Sequence, residues 1–408
     1  MIDFDAASTG RNSLFYKRTG SVSKTDSWKI DDFKIILIIS QLIFWPRFGI
    51  LRKRKKMGLK SKRNIQNIIM KKLQFAILGA ALIAIALSCI SVESNGVNFG
   101  GQGNPVTLMT KSFDAASIKG IEALTSGGNI SVSGDAVGQA TIEVLGQGNN
   151  GKSYSKEEIM DILQRDYEFS VGKDGNKISA ICKRKNSINW KNGVNISYVI
   201  HVSKDVSSAL KTSGGNIQLS GLKGSQNFAT SGGNIKFSEL SGEVMGRTSG
   251  GNIVASDSHG DIQAHTSGGN IKMQNLEGTI EMRTSGGNIK GENVTGELSS
   301  STSGGNIDLI NIDATLKAST SGGSIEASFI KFSKAASLST SGGSIRLDVP
   351  NAAKMDFDLR GSSVHVGAAN QIEVEINKQK DHATGHLNGG GSILDASTSG
   401  GSVKIAFH

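Results

Sequence analysis

The tetrapeptide Thr-Ser-Gly-Gly begins at Thr125, Thr212, Thr230, Thr248, Thr266, Thr284, Thr302, Thr320, Thr340 and Thr398. From Thr212 to Thr320 the step is 18 residues six times in succession, and the next step is 20. A fixed period of this kind restricts the fold to a stack of one short unit, because no single unit has enough apolar surface to make a core of its own. Asn or Ser follows each motif, and then Ile or Val.

The unit Thr230–Arg247 divides into two nine-residue halves in which Ile235 corresponds to Val244, each two residues after a glycine, Gly233 or Gly242. Each unit therefore reads as two short strands and two glycine turns. Alternation with period two turns Ile235, Phe237, Val244 and Gly246 inward, and Asn234, Lys236, Glu243 and Met245 outward. Ile271, Met273, Ile280 and Met282 repeat the inward pattern, with Lys272 and Glu281 outside. A third apolar position recurs near the second turn, at Leu222, Leu240, Leu276, Val294, Ile312 and Ile330.

Stacked about 4.8 Å apart, Ile217, Ile235, Ile253, Ile271, Ile289, Ile307, Ile325 and Ile345 form one internal ladder. Each fully buried isoleucine contributes roughly 1.5–3 kcal/mol. The expected fold is all-β, a parallel β-solenoid of 18-residue coils. Two or three sides per coil both stay open, since a third side needs a third strand within 18 residues.

The turn residues of the array are Gly214, Gly215 and Asn216; Gly232, Gly233 and Asn234; Gly250, Gly251 and Asn252; Gly268, Gly269 and Asn270; Gly286, Gly287 and Asn288; and Gly304, Gly305 and Asn306. Paired glycines suit a tight corner with φ > 0. Stacked asparagine amides can hydrogen-bond along the array; the plainer alternative is that Asn tolerates the turn. Both readings are structural, and neither is catalytic.

Residues 212–349 form the regular array, with 111–211 before it as a strand- and helix-containing capping region and 350–408 after it as degenerate coils. In the first flank, Ser155–Phe169 predicts a helix. Ser155 and Glu158 make a capping box, and Ile159, Ile162, Leu163 and Tyr167 share one face. A helix there suits the open end of the stack, where unpaired strand edges invite aggregation. Lys177–Lys183 and Val194–Val202 read as strands. In the last flank Val364, Ile393 and Val403 hold coil positions, and HLNGGGSI (386–393) and the final TSGGSVKI read as closing coils.

The net charge of +10 suggests a nucleic-acid binder, but its distribution removes that reading. Residues 1–69 hold 15 Lys/Arg against 5 Asp/Glu, whereas Ile90 to His408 hold 28 against 30. The body lacks the positive footprint that phosphate binding needs, so no nucleic-acid partner is expected.

From Met70 the chain has the layout of a secretory signal: Lys71 and Lys72, the apolar run Leu73–Leu87, then small residues and Cys89. The ending Ala86-Leu87-Ser88-Cys89 resembles a bacterial lipobox, with Ala86 where leucine is usual. Residues 70–89 are thus expected to be a lipoprotein signal with Cys89 the lipidated residue, ordinary cleavage nearby being the alternative, and 90–110 a flexible linker. The body is exported and held at a membrane, the outer membrane, by the lipid; periplasmic and surface-facing orientations both remain. Upstream, Ile35–Trp45 is short for a membrane span and precedes a basic cluster, Arg52–Arg63. Met70 is the expected start, with 1–69 a non-native leader or disordered extension. Cys182 is then a lone thiol in a strand-like run.

Phe113-Asp114 with Ile118-Lys119-Gly120-Ile121, the TSGGNI copies, Val202-Ser203-Lys204-Asp205-Val206 before the array, and Leu387-Asn388-Gly389-Gly390-Gly391 after it together resemble a bacterial putative-adhesin family. Its members are β-strand-repeat proteins of unknown function related to head-GIN domains. The resemblance spans about residues 105–408. It implies a parallel β-solenoid exposed in the cell envelope, and no catalytic residues or known ligand.

Three functions fit a chain of this kind: a non-catalytic binding or adhesion module, an envelope scaffold without a specific ligand, and a polysaccharide-degrading β-helix enzyme. The enzyme needs paired carboxylates. Asp257, His259, Asp261 and His265 are the nearest candidates, and nothing in the pattern converges them. From Thr212 onward there is no Trp or Tyr to serve as a sugar platform. Calcium repeats need an acidic residue after the glycines, where this chain has Asn-Ile, so no metal is expected. Gly100–Gly103 lacks the strand, helix and acidic context of a cofactor loop, so no cofactor is expected either. The partner is left open between an extracellular polymer and an envelope protein. The outward residues Gln218, Lys236, Val254, Lys272, Lys290, Asp308 and Glu326 are mixed, as a solvated surface would be.

Overall fold

The computed structural model of the chain describes residues 105–185, 193–369 and 371–408. The expected leader, the signal with Cys89 and residues 90–104 of the linker lie outside the described residues. Within them the fold is all-β, a large and mostly parallel sheet with one α-helix.

The first flank holds β1 (Val106–Asp114), β2 (Gly120–Thr125), β3 (Ile130–Ser133), β4 (Gln139–Gly148), α1 (Lys156–Asp166), β5 (Tyr167–Asp174), β6 (Lys177–Arg184) and β7 (Val194–His201). β1 therefore begins inside the segment expected as linker. α1 starts at Ser155, whose hydroxyl accepts from the Glu158 N–H at 3.2 Å while the Glu158 carboxylate accepts from the Ser155 N–H at 2.7 Å. Both capping hydrogen bonds satisfy donors that a helix start leaves open. Ile159, Ile162 and Leu163 are buried against the neighbouring strands β1, β4, β5 and β7. Tyr167 opens β5 rather than ending the helix. Its buried hydroxyl donates to the Val194 carbonyl at 3.1 Å and accepts from the Val194 N–H at 3.2 Å.

The repeats run through β8 (Ser207–Thr212), β9 (Ile217–Ser220), β10 (Lys223–Ala229), β11 (Ile235–Ser238), β12 (Ser241–Thr248), β13 (Ile253–Thr266), β14 (Ile271–Arg283), β15 (Ile289–Ser301), β16 (Ile307–Thr320), β17 (Ile325–Phe329), β18 (Ala336–Thr340) and β19 (Ile345–Val349). Each pairs in parallel with its equivalent one unit away, so Ile217, Ile235, Ile253, Ile271, Ile289, Ile307, Ile325 and Ile345 are successive partners. All are fully buried.

The neighbouring inward column alternates large and small: Phe237, Ala255, Met273, Gly291, Leu309, Ala327. At rung spacing, wide side chains fit only if their neighbours give way. A Cβ on Gly291 would meet Leu309 Cδ2 at 2.9 Å, and one on Gly246 would meet the Phe228 ring at 2.5 Å. The inward glycine at 246 is thus room for Phe228, which packs on Phe237 with ring centroids 5.6 Å apart.

Ser300 stands in the same core between Met282 and Ala318, buried, with its hydroxyl unpartnered. Ser300→Ala removes an unsatisfied polar atom and is expected to raise stability by about 1 kcal/mol. Urea unfolding checks this, and a loss of stability would show that the hydroxyl has a bonding role.

At the 20-residue step the pattern departs from expectation. The ladder between β16 and β17 shifts after Leu309, and Ile312 pairs with Phe329. One residue fewer at this corner puts Phe329 in the core, and Ile330 turns outward, 65% exposed. Phe332 folds back edge-on to Phe329, at 5.0 Å between centroids.

The last flank holds β20 (Met355–Arg360), β21 (Ser363–Val366), β22 (Ile372–Ile376), β23 (His382–Leu387), β24 (Ser392–Thr398) and β25 (Ser402–Phe407). The final TSGG copy does not close the stack. β24 and β25 insert in parallel between β18/β19 on one side and β20/β21 on the other. β23, which includes His386 and Leu387 of the expected closing coil, runs antiparallel to β20 and β22. Val364 and Val403 face inward, but Ile393 is 56% exposed and its neighbour Leu394 takes the core position.

The first flank mirrors this arrangement. β2 and β3 lie between β8/β9 and β6/β7, so the copy at Thr125 stacks on the copy at Thr212 although 87 residues separate them. Antiparallel strands β4 and β5 border β7 and β6, and α1 packs on that border rather than on the parallel stack.

Candidate functional site

All ten TSGG copies therefore stand in one file, and hydroxyls tie them together. Thr212 Oγ1 donates to the Gly128 carbonyl at 2.8 Å, Thr230 to Gly215, Thr248 to Gly233, Thr266 to Gly251, Thr284 to Gly269, Thr302 to Gly287, Thr320 to Gly305, Thr340 to Gly323 and Thr398 to Gly343. Each hydroxyl also accepts from the N–H three residues on, as Thr284 does from Gly287 at 3.3 Å. The threonines are buried. One side chain thus closes its own turn and fastens it to the previous one. The sequence signal was there, since Thr precedes every Ser-Gly-Gly, but inward alternation alone does not distinguish a bonding hydroxyl from a filler.

The glycine pairs have a different cause from the one the sequence suggests. None of the TSGG glycines adopts a positive φ. The second of each pair is buried in all but the last two copies, because the backbones of adjacent rungs touch there. A Cβ on Gly215, Gly233, Gly251, Gly269, Gly287 or Gly305 would overlap the carbonyl oxygen of the equivalent glycine one unit earlier. The first of each pair, Gly232, Gly250, Gly268, Gly286 or Gly304, has its nearest such neighbour at 3.7–3.8 Å, and Gly214 has nothing within 4 Å.

The asparagines bond along the file, but through the backbone. The N–H groups of Asn216, Asn234, Asn252, Asn270, Asn288 and Asn306 each donate at 2.8 Å to the Oδ1 of the asparagine one rung earlier, beginning with Asn129. Amide-to-amide stacking occurs instead at the other corner. There Glu239, Asp257, Asn275, Asn293 and Asn311 hold the left-handed conformation, with φ from 51 to 58°. Asn275 Nδ2 donates to Asp257 Oδ1 at 2.7 Å, Asn293 to Asn275 at 2.9 Å and Asn311 to Asn293 at 3.1 Å. Asn and Asp tolerate this region better than other side chains.

The enzyme candidates do not converge. Asp257 belongs to the amide ladder just described, His265 lies 3.4 Å from Glu281, and His259 and Asp261 are exposed on separate positions of β13. Among the described residues no group of His, Cys, Asp and Glu could hold a metal ion. Cys182 is buried opposite Thr125 in the β2–β6 pair. Burial pushes its thiol up to about 12, so it is no nucleophile at neutral pH.

Outside the repeats, β20, β22, β23 and β24 form a groove of about 610 Å³ lined by Asp356, Asp358, Glu373, Glu375, His386 and Asp395. His386 Nδ1 sits 2.5 Å from Asp356. That bond and the Gly391 N–H hold the Asp356 carboxyl below its ordinary range. The sequence hid this acidic row because antiparallel pairing, not spacing, assembles it. Among the described residues no helix is long and apolar enough to cross a membrane.

No family model matches the chain, and no curated protein matches it. Solved structures similar to it include a putative cell adhesion protein from Clostridium sporogenes (11% identity, TM-score 0.19, 75% of this chain and 100% of that one). A putative adhesin from Bacteroides fragilis follows (13%, 0.30, 73% and 96%). A third is a putative lipid binding protein from Parabacteroides distasonis (15%, 0.31, 75% and 98%). Similarity at this level carries no argument about what the chain does.

Proposed function

We propose that the chain is a non-catalytic binding module of the cell envelope, an adhesin-type lipoprotein exported by the signal at 70–89 and anchored through Cys89 in the outer membrane. Its parallel strands wind as a β-solenoid of 18-residue coils, on which the outward residues of each unit fall into straight rows. The observation that carries this reading is the single register shared by ten TSGG copies. A surface of rows at strand spacing suits an extended partner that touches many rungs at once.

Adhesion requires the module to face outward, and protease shaving of intact cells tests this. Peptides from Thr212–Thr340 should be released while periplasmic controls stay whole. Cutting only after the outer membrane is opened would overturn it in favour of a periplasmic scaffold.

A further inference from the structure

The asparagine file has a consequence for what the corner can hold. A planar carboxamide whose oxygen is fixed has its NH2 group fixed as well. Asn129, Asn216, Asn234, Asn252, Asn270, Asn288 and Asn306 all spend Oδ1 on the next rung's backbone, at 2.8 Å. Their Nδ2 groups have no partner among the described residues, and from Asn234 onward these side chains are exposed. The result is a row of oriented donors spaced by one strand separation, about 4.8 Å.

Cations flank the row on both sides, which only the folded corner reveals. The column just before each Thr reads Lys211, Ala229, Arg247, His265, Arg283, Ser301. The column two residues after each Asn reads Gln218, Lys236, Val254, Lys272, Lys290, and then Asp308. Neither column carries a carboxylate before Asp308. Arg283 is paired with Glu281, two residues further from the corner. Lys211, Lys236, Arg247, Lys272 and Lys290 are exposed and make no ion pair among the described residues.

We propose that this ridge, from Thr212 to Ser301, binds an extended acidic polysaccharide. Its carboxylates meet Lys236, Arg247, Lys272 and Lys290, and its hydroxyl and ring oxygens accept from the asparagine Nδ2 groups. Single-stranded nucleic acid, the other linear polyanion, is held largely by stacking on aromatic side chains. The chain has no Trp or Tyr from Thr212 to its end, and Phe228 and Phe237 are buried, so neither bases nor sugar faces can stack here. The ridge offers charge and hydrogen bonds alone, which a polymer with a carboxylate and hydroxyls on its sugar units can use without stacking. The inference rests on the binding-module reading and names its surface and ligand class.

The test titrates the full chain with polygalacturonate, alongside neutral dextran and single-stranded DNA. Asn252→Ser/Asn270→Ser/Asn288→Ser removes three donors without adding charge. It keeps an acceptor for the next rung, as Ser324 Oγ does for the Ser344 N–H at 3.1 Å. Lys236→Glu/Arg247→Glu/Lys272→Glu/Lys290→Glu reverses the fringe. With unchanged circular dichroism, each variant should bind polygalacturonate about tenfold more weakly or worse, and added salt should weaken the wild type. Wild-type binding to DNA as tight as to polygalacturonate, no polygalacturonate binding at all, or variants that bind like wild type would each overturn the assignment. Loss of the ridge while shaving still releases array peptides leaves the envelope reading standing. Ridge-dependent binding in a chain that shaving cannot reach leaves the ridge standing and removes the surface placement.

Discussion

Replacing Gly287 with alanine is expected to destabilise the array by about 3 kcal/mol or more, whereas the same change at Gly286, its neighbour, should alter stability by less than about 1 kcal/mol. At Gly287 the new methyl meets the Gly269 carbonyl oxygen, and backbone cannot swing aside as a side chain would. Relief requires the two rungs to part. Parting them strains the Thr284 hydroxyl bond to that same carbonyl and the Asn288 N–H bond to Asn270 Oδ1, both 2.8 Å long. At Gly286 the nearest atom is the Ser267 carbonyl oxygen at 3.7 Å and φ is not left-handed, so the alanine loses nothing on folding.

Repeat arrays unfold by nearest-neighbour coupling rather than as one unit. Amide hydrogen exchange at the flanking isoleucines, Ile271, Ile289 and Ile307, is therefore the sharper readout than a single melting temperature. Equal effects at the two glycines would mean that the pair recurs in each unit for its dihedrals and not for closeness.

That contrast marks how far the sequence could be read. The Ile ladder, the inward Phe237 and Gly246, and the capping box at Ser155 were legible because each depends only on local alternation or on a four-residue spacing. The cause of the glycine pair was not. Closeness between chains and a left-handed φ both select glycine, and a sequence does not tell them apart. The left-handed corner escaped notice because no single residue type repeats there: Glu239, Asp257 and three asparagines occupy it, and Glu239 is not a usual left-handed residue. Ile330 was misplaced because one residue fewer in its corner brings Phe329 to the core position instead, and Ile393 because β24 stacks on β18 through Leu394, one residue further on. The cationic fringe was half visible: the Lys236–Lys290 column could be read along the units, but Arg247 joins it only once the corner is folded. Above all, motif repetition hides stacking order. Ten copies with the same hydroxyl, the same carbonyl and the same apolar pair can each dock on any other, so the chain order of the copies need not be their spatial order.

Deleting residues 392–408 should therefore do more than shorten the stack by one unit. β20 and β21 reach the array only through β24 and β25, which stand between them and β18 and β19. Without that pair, Met355, Phe357 and Leu359 lose the Leu394 and Ala396 surface beneath them, and Thr340 to Val349 become an open parallel edge. The truncated chain is expected to lose hydrogen-exchange protection throughout 355–387 while Ile217–Ile307 keep theirs, because each array unit is held mainly by its immediate neighbours. It should also associate with itself, since the bare edge presents the Gly343 carbonyl that Thr398 Oγ1 bonds at 2.7 Å in the intact chain and an unpaired edge of this kind recruits further strands. A synthetic peptide of residues 392–408 should restore protection of 355–387 and suppress the association. Retention of protection in the truncated chain without the peptide would show that β20 and β21 can seat directly on β18 and β19, and that the intercalated order is one of two packings open to the same motif.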